Sequence, residues 1–334
     1  MTARAIIFGC AGPELCQDEA AFFTEVQPWG FILFARNLVS EAQVRHLTHA
    51  LRKSVTHRPH IFIDEEGGRV SRLRELGGWI GPPAADFWRT GQIIDGQAAV
   101  RANYRAIGAR LAALGITADC APVLDVPQSG ADPIIGDRAF CTDPAQIAPL
   151  GQACLDGLAD AGIAGVIKHI PGHGRAQVDT HLALPIVATS LAELIATDFV
   201  PFTALAHAAM AMTAHIVYSD IDPEHPATTS AKVIDQVIRK QIGFTGLLLS
   251  DDLDMKALQG TLPTRATQAL AAGCDMLLHC SGNLADMRML AECTPVLQGD
   301  ALARAKNAEP ATESCQICPI EAIQEAKSRL RDLS

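Results

Sequence analysis

The sequence predicts an α/β protein built as a single (β/α)8 barrel. Three observations carry this reading. Eight short apolar runs recur along the 334 residues, most of them followed by a helical pattern. Polar clusters sit directly after these runs rather than inside them. No internal repeat or low-complexity linker divides the chain. Eight alternating units suggest a closed parallel barrel. An open doubly wound sheet is the alternative, and periodicity alone does not separate the two.

The apolar runs cover residues 5–10, 31–34, 60–63, 116–121, 165–167, 212–216, 247–249 and 275–278. Short apolar runs of this kind suit strands buried on both faces. Helical patterns cover 41–55, 96–114, 144–161, 191–209, 231–242 and 265–272. Residues 299–318 have the least pattern and are expected to cross the surface irregularly before a last helix over 320–333. The expected organisation is one catalytic domain over 1–334, with 299–334 as an irregular segment and a terminal helix packed on the barrel.

At 49% hydrophobic and 19% charged, the chain can bury a sizeable core. Its net charge of −10 and pI of about 5.5 argue against general nucleic-acid binding, which needs a basic footprint. A few local cations could still meet an anionic small substrate. No stretch offers the ~18 uninterrupted apolar residues of a membrane span. Residues 5–12 follow Arg4 and are apolar, but Pro13-Glu14 is not a clean cleavage site, so a first strand is the better reading. Ten cysteines are scattered, many inside apolar runs, as free thiols are in a reducing compartment. Cys315-x-x-Cys318 has no second pair at metal spacing and reads as incidental.

The densest chemistry lies in Lys168-His169-Ile170-Pro171-Gly172-His173-Gly174, followed by Asp179-Thr180-His181. The run 165–167 reads as a buried strand, and Pro171 with the glycines forbids a helix beyond it. A strand therefore delivers Lys168 and His169 to a mouth, and a loop presents Asp179 and His181. Residues two apart in an extended segment share a side. Asp179 can thus fix the His181 tautomer and stabilise its cation, which makes a proton-transfer histidine. A solvated loop is the bland alternative.

Other clusters fall after other strands: Asp64-Glu65-Glu66-Gly67-Gly68-Arg69 after the third, Asp125 and Arg138 after the fourth, His215 at the sixth, Ser250-Asp251-Asp252 at the seventh. In a parallel barrel all would gather at the C-terminal mouth. Asp251 and Asp252 cannot both face the axis, because side chains alternate. One is the working carboxylate, and the other caps a turn. A mouth carboxylate opposite an Asp–His pair suggests glycosyl transfer, one group attacking the anomeric carbon and the other donating a proton. Asp64, Arg72 and Arg138 would supply donors and acceptors to sugar hydroxyls. Arg69 reads better as a rim salt bridge.

A zinc site on His169, His173, Asp179 and His181 is the competing reading. His169 and His173 are four apart across Pro171-Gly172, so no helix aligns them. The expectation is no metal and no cofactor.

Taken together, Asp64-x-Glu66-Gly67-Gly68-Arg69, Lys168-His169-x-Pro171-Gly172-His173-Gly174 with Asp179-x-His181, and Ser250-Asp251-Asp252-Leu253-x-Met255 resemble glycoside hydrolase family 3. The likeness is to its single-domain bacterial β-N-acetylhexosaminidases and runs from about Gly30 to Leu278. Smaller signatures around Pro122, Asp137-Arg138, His215 and Asp275 agree with it.

The resemblance implies retaining hydrolysis of terminal β-linked N-acetylglucosamine. Asp251 would be the nucleophile, His181 the acid/base and Asp179 its partner. Asp64, Arg72, Arg138, Lys168 and His169 would bind the sugar. It also implies a cytoplasmic enzyme of peptidoglycan recycling that takes a GlcNAc-containing 1,6-anhydromuropeptide; a monomer with neither membrane nor nucleic-acid partner is expected. The chain departs from the family pattern at Glu65, where glutamine is usual, at Asp254, where serine or asparagine is, and at Thr180, where serine is. Glu65 is expected to add negative charge near the sugar. The rival readings are a family 3 β-glucosidase, a phosphorylase acting on the same sugar, and a non-catalytic muropeptide-binding protein.

Overall fold

Eight parallel strands close into a barrel in sequence order. The structure is a computed structural model that describes residues 3–88, 93–180, 183–310 and 317–331. The barrel strands are β1 (Arg4–Gly9), β2 (Pro28–Leu33), β3 (His60–Ile63), β4 (Ala118–Asp119), β5 (Ala164–Ile170), β6 (Met210–Thr213), β7 (Leu247–Asp252) and β8 (Met276–His279). Closure is made by β1 against β8, with Ile6, Ile7 and Phe8 opposite Leu277, Leu278 and His279. This excludes the open doubly wound sheet. Every expected strand is present, but the lengths differ. The fourth shrinks to two residues, whereas β5 runs on through Lys168 and His169, and β7 through Asp251 and Asp252.

Alternation divides the core in two. Ile7, Phe62, Val166, Met210, Met212, Leu247, Leu249, Met276 and Leu278 pack inside the barrel. Ile6, Phe8, Ile61, Ile167, Ala211, Leu248 and Leu277 pack outward against the helices. Both faces are dry, which is why the strands read as continuous apolar runs rather than alternating ones. Helix starts follow ordinary capping. Ser40 accepts from the Gln43 amide, and Asp143 accepts from Ala145 with Pro144 opening the helix.

Two sequence expectations need correction. The single helix over 191–209 is two short ones, Leu191–Ala196 and Val200–Ala204. Pro201 lacks the amide a continuous helix would need and instead opens the second. Residues 299–318 are not irregular throughout, since Gly299–Asn307 is a helix. It lies across the N-terminal end of the barrel, where Ala305 and Ala308 join Ala3, Ala5 and Leu297 in the inner core. Arg304 and Arg239 both pair with Asp275 at the foot of β8, at 2.7 and 2.8 Å. The terminal helix Pro319–Arg331 seats Ala322 and Ala326 on Ala102, Ala106 and Ala109. Among the described residues no helix is long and apolar enough to cross a membrane, and all nine described cysteines are free.

Candidate active site

The C-terminal strand ends surround a cleft of about 200 Å³ lined by Asp64, Glu66, Arg72, Arg138, Lys168, His169, Asp251 and Asp252, among others. Strand period places most of these groups. On β7 the inward residues Leu247 and Leu249 continue to Asp251; on β5 Val166 continues to Lys168; past β3, Phe62 continues to Asp64 and Glu66.

Lys168 is the hub of one network. Its ammonium donates to Asp64 at 2.9 Å and pairs with Glu66 at 2.7 Å. Arg138 binds Glu66 through both Nε and Nη2 at 2.8 Å, a bidentate clamp. Arg72 reaches Asp64 at 3.4 Å. Burial pushes the Glu66 carboxyl up, but Arg138 and Lys168 outweigh it and hold it well below the usual range. Lys168 is held charged against burial by Asp64 and Glu66.

Asp125 is the hub of a second network. It accepts from the His169 ring at 2.7 Å and from the His169 and His173 amides at 3.1 and 2.7 Å. That fixes the bend where β5 becomes the loop. The His173 ring is packed in behind, where burial, with repulsion from His169, lowers its pKa to about 4, so it stays neutral near pH 7.

Asp251 is the carboxylate at the centre. Burial would raise its pKa, yet the shift is downward, through His215, His169, the Asp252 amide and Lys168. The His215 imidazole is itself pushed toward its neutral form by burial, whereas the amide at 2.8 Å and the permanent Lys168 charge do not depend on its protonation. Asp252 caps the turn as expected, accepting from the Asp254 and Cys280 amides at 3.2 and 3.1 Å. Burial pushes its carboxyl up to about 6. His215 lies beneath, its ring nitrogens meeting Thr228 Oγ1 at 2.6 Å and the Asp252 carbonyl at 3.0 Å.

Of the sequence-predicted site residues, Asp64, Arg72, Arg138, Lys168, His169 and Asp251 come together in this cleft. Asp179 is partly buried in the loop beyond β5. His181 lies outside the described residues. Its neighbour Thr180 lines the cleft, and the Thr180 carbonyl accepts from the Ala257 amide at 3.2 Å. Arg69 is a rim group, paired with Asp137 at 2.7 Å and half exposed. Glu65 corrects its expectation. It is wholly buried behind the cleft, where its carboxylate accepts from Ser71 Oγ and the Leu73 amide. Two important residues, Glu66 and Asp125, are named in the motifs at the mouth but are given no role there. Both had a signal. Glu66 is two residues past Asp64, hence on the same side, and Asp125 is a carboxylate inside an apolar run, which must find partners.

The sequence of residues 12–306 matches the model of the glycosyl hydrolase family 3 N terminal domain. A protein named beta-hexosaminidase from Methylococcus capsulatus is 39% identical over 282 residues, covering 82% of each chain. Another of that name from Alkalilimnicola ehrlichii is 40% identical over 294 residues, covering 84% of this chain and 82% of that one. In structure, the chain is similar to NagZ from Neisseria gonorrhoeae in complex with N-trifluoroacetyl-D-glucosamine, with a TM-score of 0.88, 30% identity, and coverage of 100% of this chain and 98% of that one. With the closed barrel and its carboxylate-centred mouth, these likenesses establish that the chain belongs to glycoside hydrolase family 3.

Proposed function

We propose that this protein is a retaining β-N-acetylglucosaminidase that removes a terminal, non-reducing β-linked N-acetylglucosamine. The observation that carries the reading is Asp251, a partly buried carboxylate held ionised at the centre of the mouth, on a strand end whose direction is set by the barrel. An ionised, unprotonated carboxylate is what nucleophilic attack on an anomeric carbon requires.

In the first step an Asp251 oxygen bonds to C1 as the C1–O bond to the aglycone breaks. His181 gives its proton to the departing oxygen, with Asp179 orienting the ring. In the second, His181 takes a proton from water as that water displaces Asp251, releasing the sugar with its β configuration restored. Asp64, Arg72, Arg138, Lys168 and His169 hold the sugar hydroxyls. No metal or cofactor enters these steps. The finer reading is a 1,6-anhydromuropeptide substrate, taken in the cytoplasm during peptidoglycan recycling by a monomeric enzyme. It is supported by the likeness to NagZ and by an acidic, cysteine-rich chain with free thiols.

The test is hydrolysis of an aryl N-acetyl-β-glucosaminide by purified protein, with NMR of the first-formed anomer. The β anomer is expected first. The α anomer first, or turnover of the glucoside in preference to the N-acetylglucosaminide, would overturn the proposal.

A further inference from the structure

Period 2 splits the residues of β8 between two sides of the barrel wall. Leu278 and Cys280 line the cleft, whereas His279 sits with Phe8 on the helix side, their rings edge-on at 6.1 Å. On that outer side His279 meets two carboxylates from different segments. Asp254 comes from the turn after β7, and Asp286 from the first turn of the helix Leu284–Cys293. One donor atom from each of Asp254, His279 and Asp286 lies within 4.8 Å of the other two.

The hydrogen bonding of this trio is incomplete. His279 is wholly buried, and its Nδ1 has no polar partner among the described residues. The nitrogen that faces the cluster is Nε2, 3.1 Å from Asp254 Oδ2 and 3.3 Å from Ser281 Oγ. Asp254 Oδ2 is also buried, yet it accepts no aligned hydrogen bond although the imidazole is so near. Buried polar atoms left in this state are uncommon and require an explanation. Two carboxylates around one imidazole also leave an excess of negative charge, which a dication would neutralise.

We propose that Asp254, His279 and Asp286 form a binding site for a divalent transition-metal ion, of which Zn²⁺ is the best fit. Zinc accepts imidazole and carboxylate ligands together, whereas Mg²⁺ and Ca²⁺ favour all-oxygen sets. The ion takes no part in glycosyl transfer, because β8 separates it from the cleft. Its effect is to staple the turn after β7 to the helix after β8. That junction is already drawn together by Asp252, which holds the amides of Asp254 and Cys280. The staple would therefore stiffen the segment that carries Asp251 from behind. The inference stands whether or not the glycosidase reading does, since its readout is metal binding.

The test uses chelator-stripped full-length protein carrying His181→Ala, so that the loop imidazole does not compete for metal. Calorimetric titration with Zn²⁺ should show one stoichiometric site, unaffected by excess Mg²⁺, and Zn²⁺ should raise Tm. Adding Asp254→Asn and Asp286→Asn should weaken binding by more than roughly 10-fold, since loss of even an outer-shell partner costs that much. X-ray absorption should report one nitrogen at about 2.0–2.1 Å, with the other ligands oxygen. No stoichiometric binding in the parent, or unchanged binding in the doubly substituted protein, would overturn the proposal. Should the latter not fold, anomalous scattering from a zinc-soaked parent crystal decides. A peak within bonding distance of His279 supports the site, and peaks only elsewhere refute it.

Discussion

Lys168 and Glu66 form an ion pair of 2.7 Å with both side chains almost entirely buried, at 2% and 4% exposed. The pair joins the end of β5 to the loop after β3, and Arg138 and Asp64 extend it across the mouth. Its Lys168 charge is among the groups that lower the pKa of Asp251, and the pair makes the cleft costly to disturb.

Glu66→Ala should therefore destabilise the fold as well as the site. It strips Arg138 of its bidentate partner and Lys168 of one of two. Removing one member of a buried pair typically costs ~3–5 kcal/mol. The pH dependence follows from the depressed Glu66 carboxyl. Its contribution is fully present above the unfolded value of about 4.3 and is lost as pH falls through the lower folded value. Urea midpoints measured between pH 7 and pH 3 should fall with acid in the parent, and less steeply in Glu66→Gln. Equal acid slopes in the two proteins would contradict this.

Asp251→Asn should abolish turnover while leaving the unfolding transition nearly unchanged, because a mouth residue is not part of the packed core. A 5-fluoro N-acetylglucosaminyl fluoride should label a peptide containing Asp251. Label on any other peptide would shift attention to catalysis assisted by the substrate's own N-acetyl group.

His181→Ala should lose about 10²–10⁴-fold in rate, the usual worth of general acid–base assistance. The loss should be largest with poor leaving groups, which need a proton to depart. With activated aryl substrates the first step needs less help, so glycosyl-enzyme should accumulate and be visible by mass spectrometry. Asp179→Asn should show a milder form of the same pattern. Equal losses on good and poor leaving groups, with no intermediate, would make His181 a binding residue.

Glu65→Gln should leave kcat and its pH profile unchanged. Burial pushes this carboxyl up, but it faces the Ser71 hydroxyl and the Leu73 amide rather than the cleft. The measurable effect should be on stability, with Glu65→Ala costing about 1–3 kcal/mol by leaving a buried amide without an acceptor. A shifted pH optimum would restore Glu65 to the site.

Chelator-treated protein should keep its turnover. In the proposed mechanism Asp251 and His181 supply the nucleophile and the proton donor without a metal, and the cation site inferred at His279 lies behind the barrel wall. Loss of turnover on chelation, with recovery on adding zinc, would place a metal in the chemistry itself.

The amino-acid sequence by itself determined the eight strands, because strands buried on both faces appear as unbroken apolar runs. It determined which motifs end them, because proline, glycine and charge cannot continue such a run. It also placed the motif residues Asp64, Lys168 and Asp251 at strand ends, since side-chain alternation is a local property. Only the tertiary structure decided whether the sheet closes, because closure depends on β1 meeting β8 across the length of the chain. It alone directed Glu65 away from the cleft and Glu66 into it, since adjacent carboxylates look alike in sequence until their partners are in place. The helix Gly299–Asn307 was illegible for the same reason. Its few apolar residues form no clear stripe, and their role becomes visible only against the open end of the barrel that Ala305 and Ala308 cover. What was legible rests on contacts within a few residues; what was not rests on contacts between distant segments, whose energies no local pattern records.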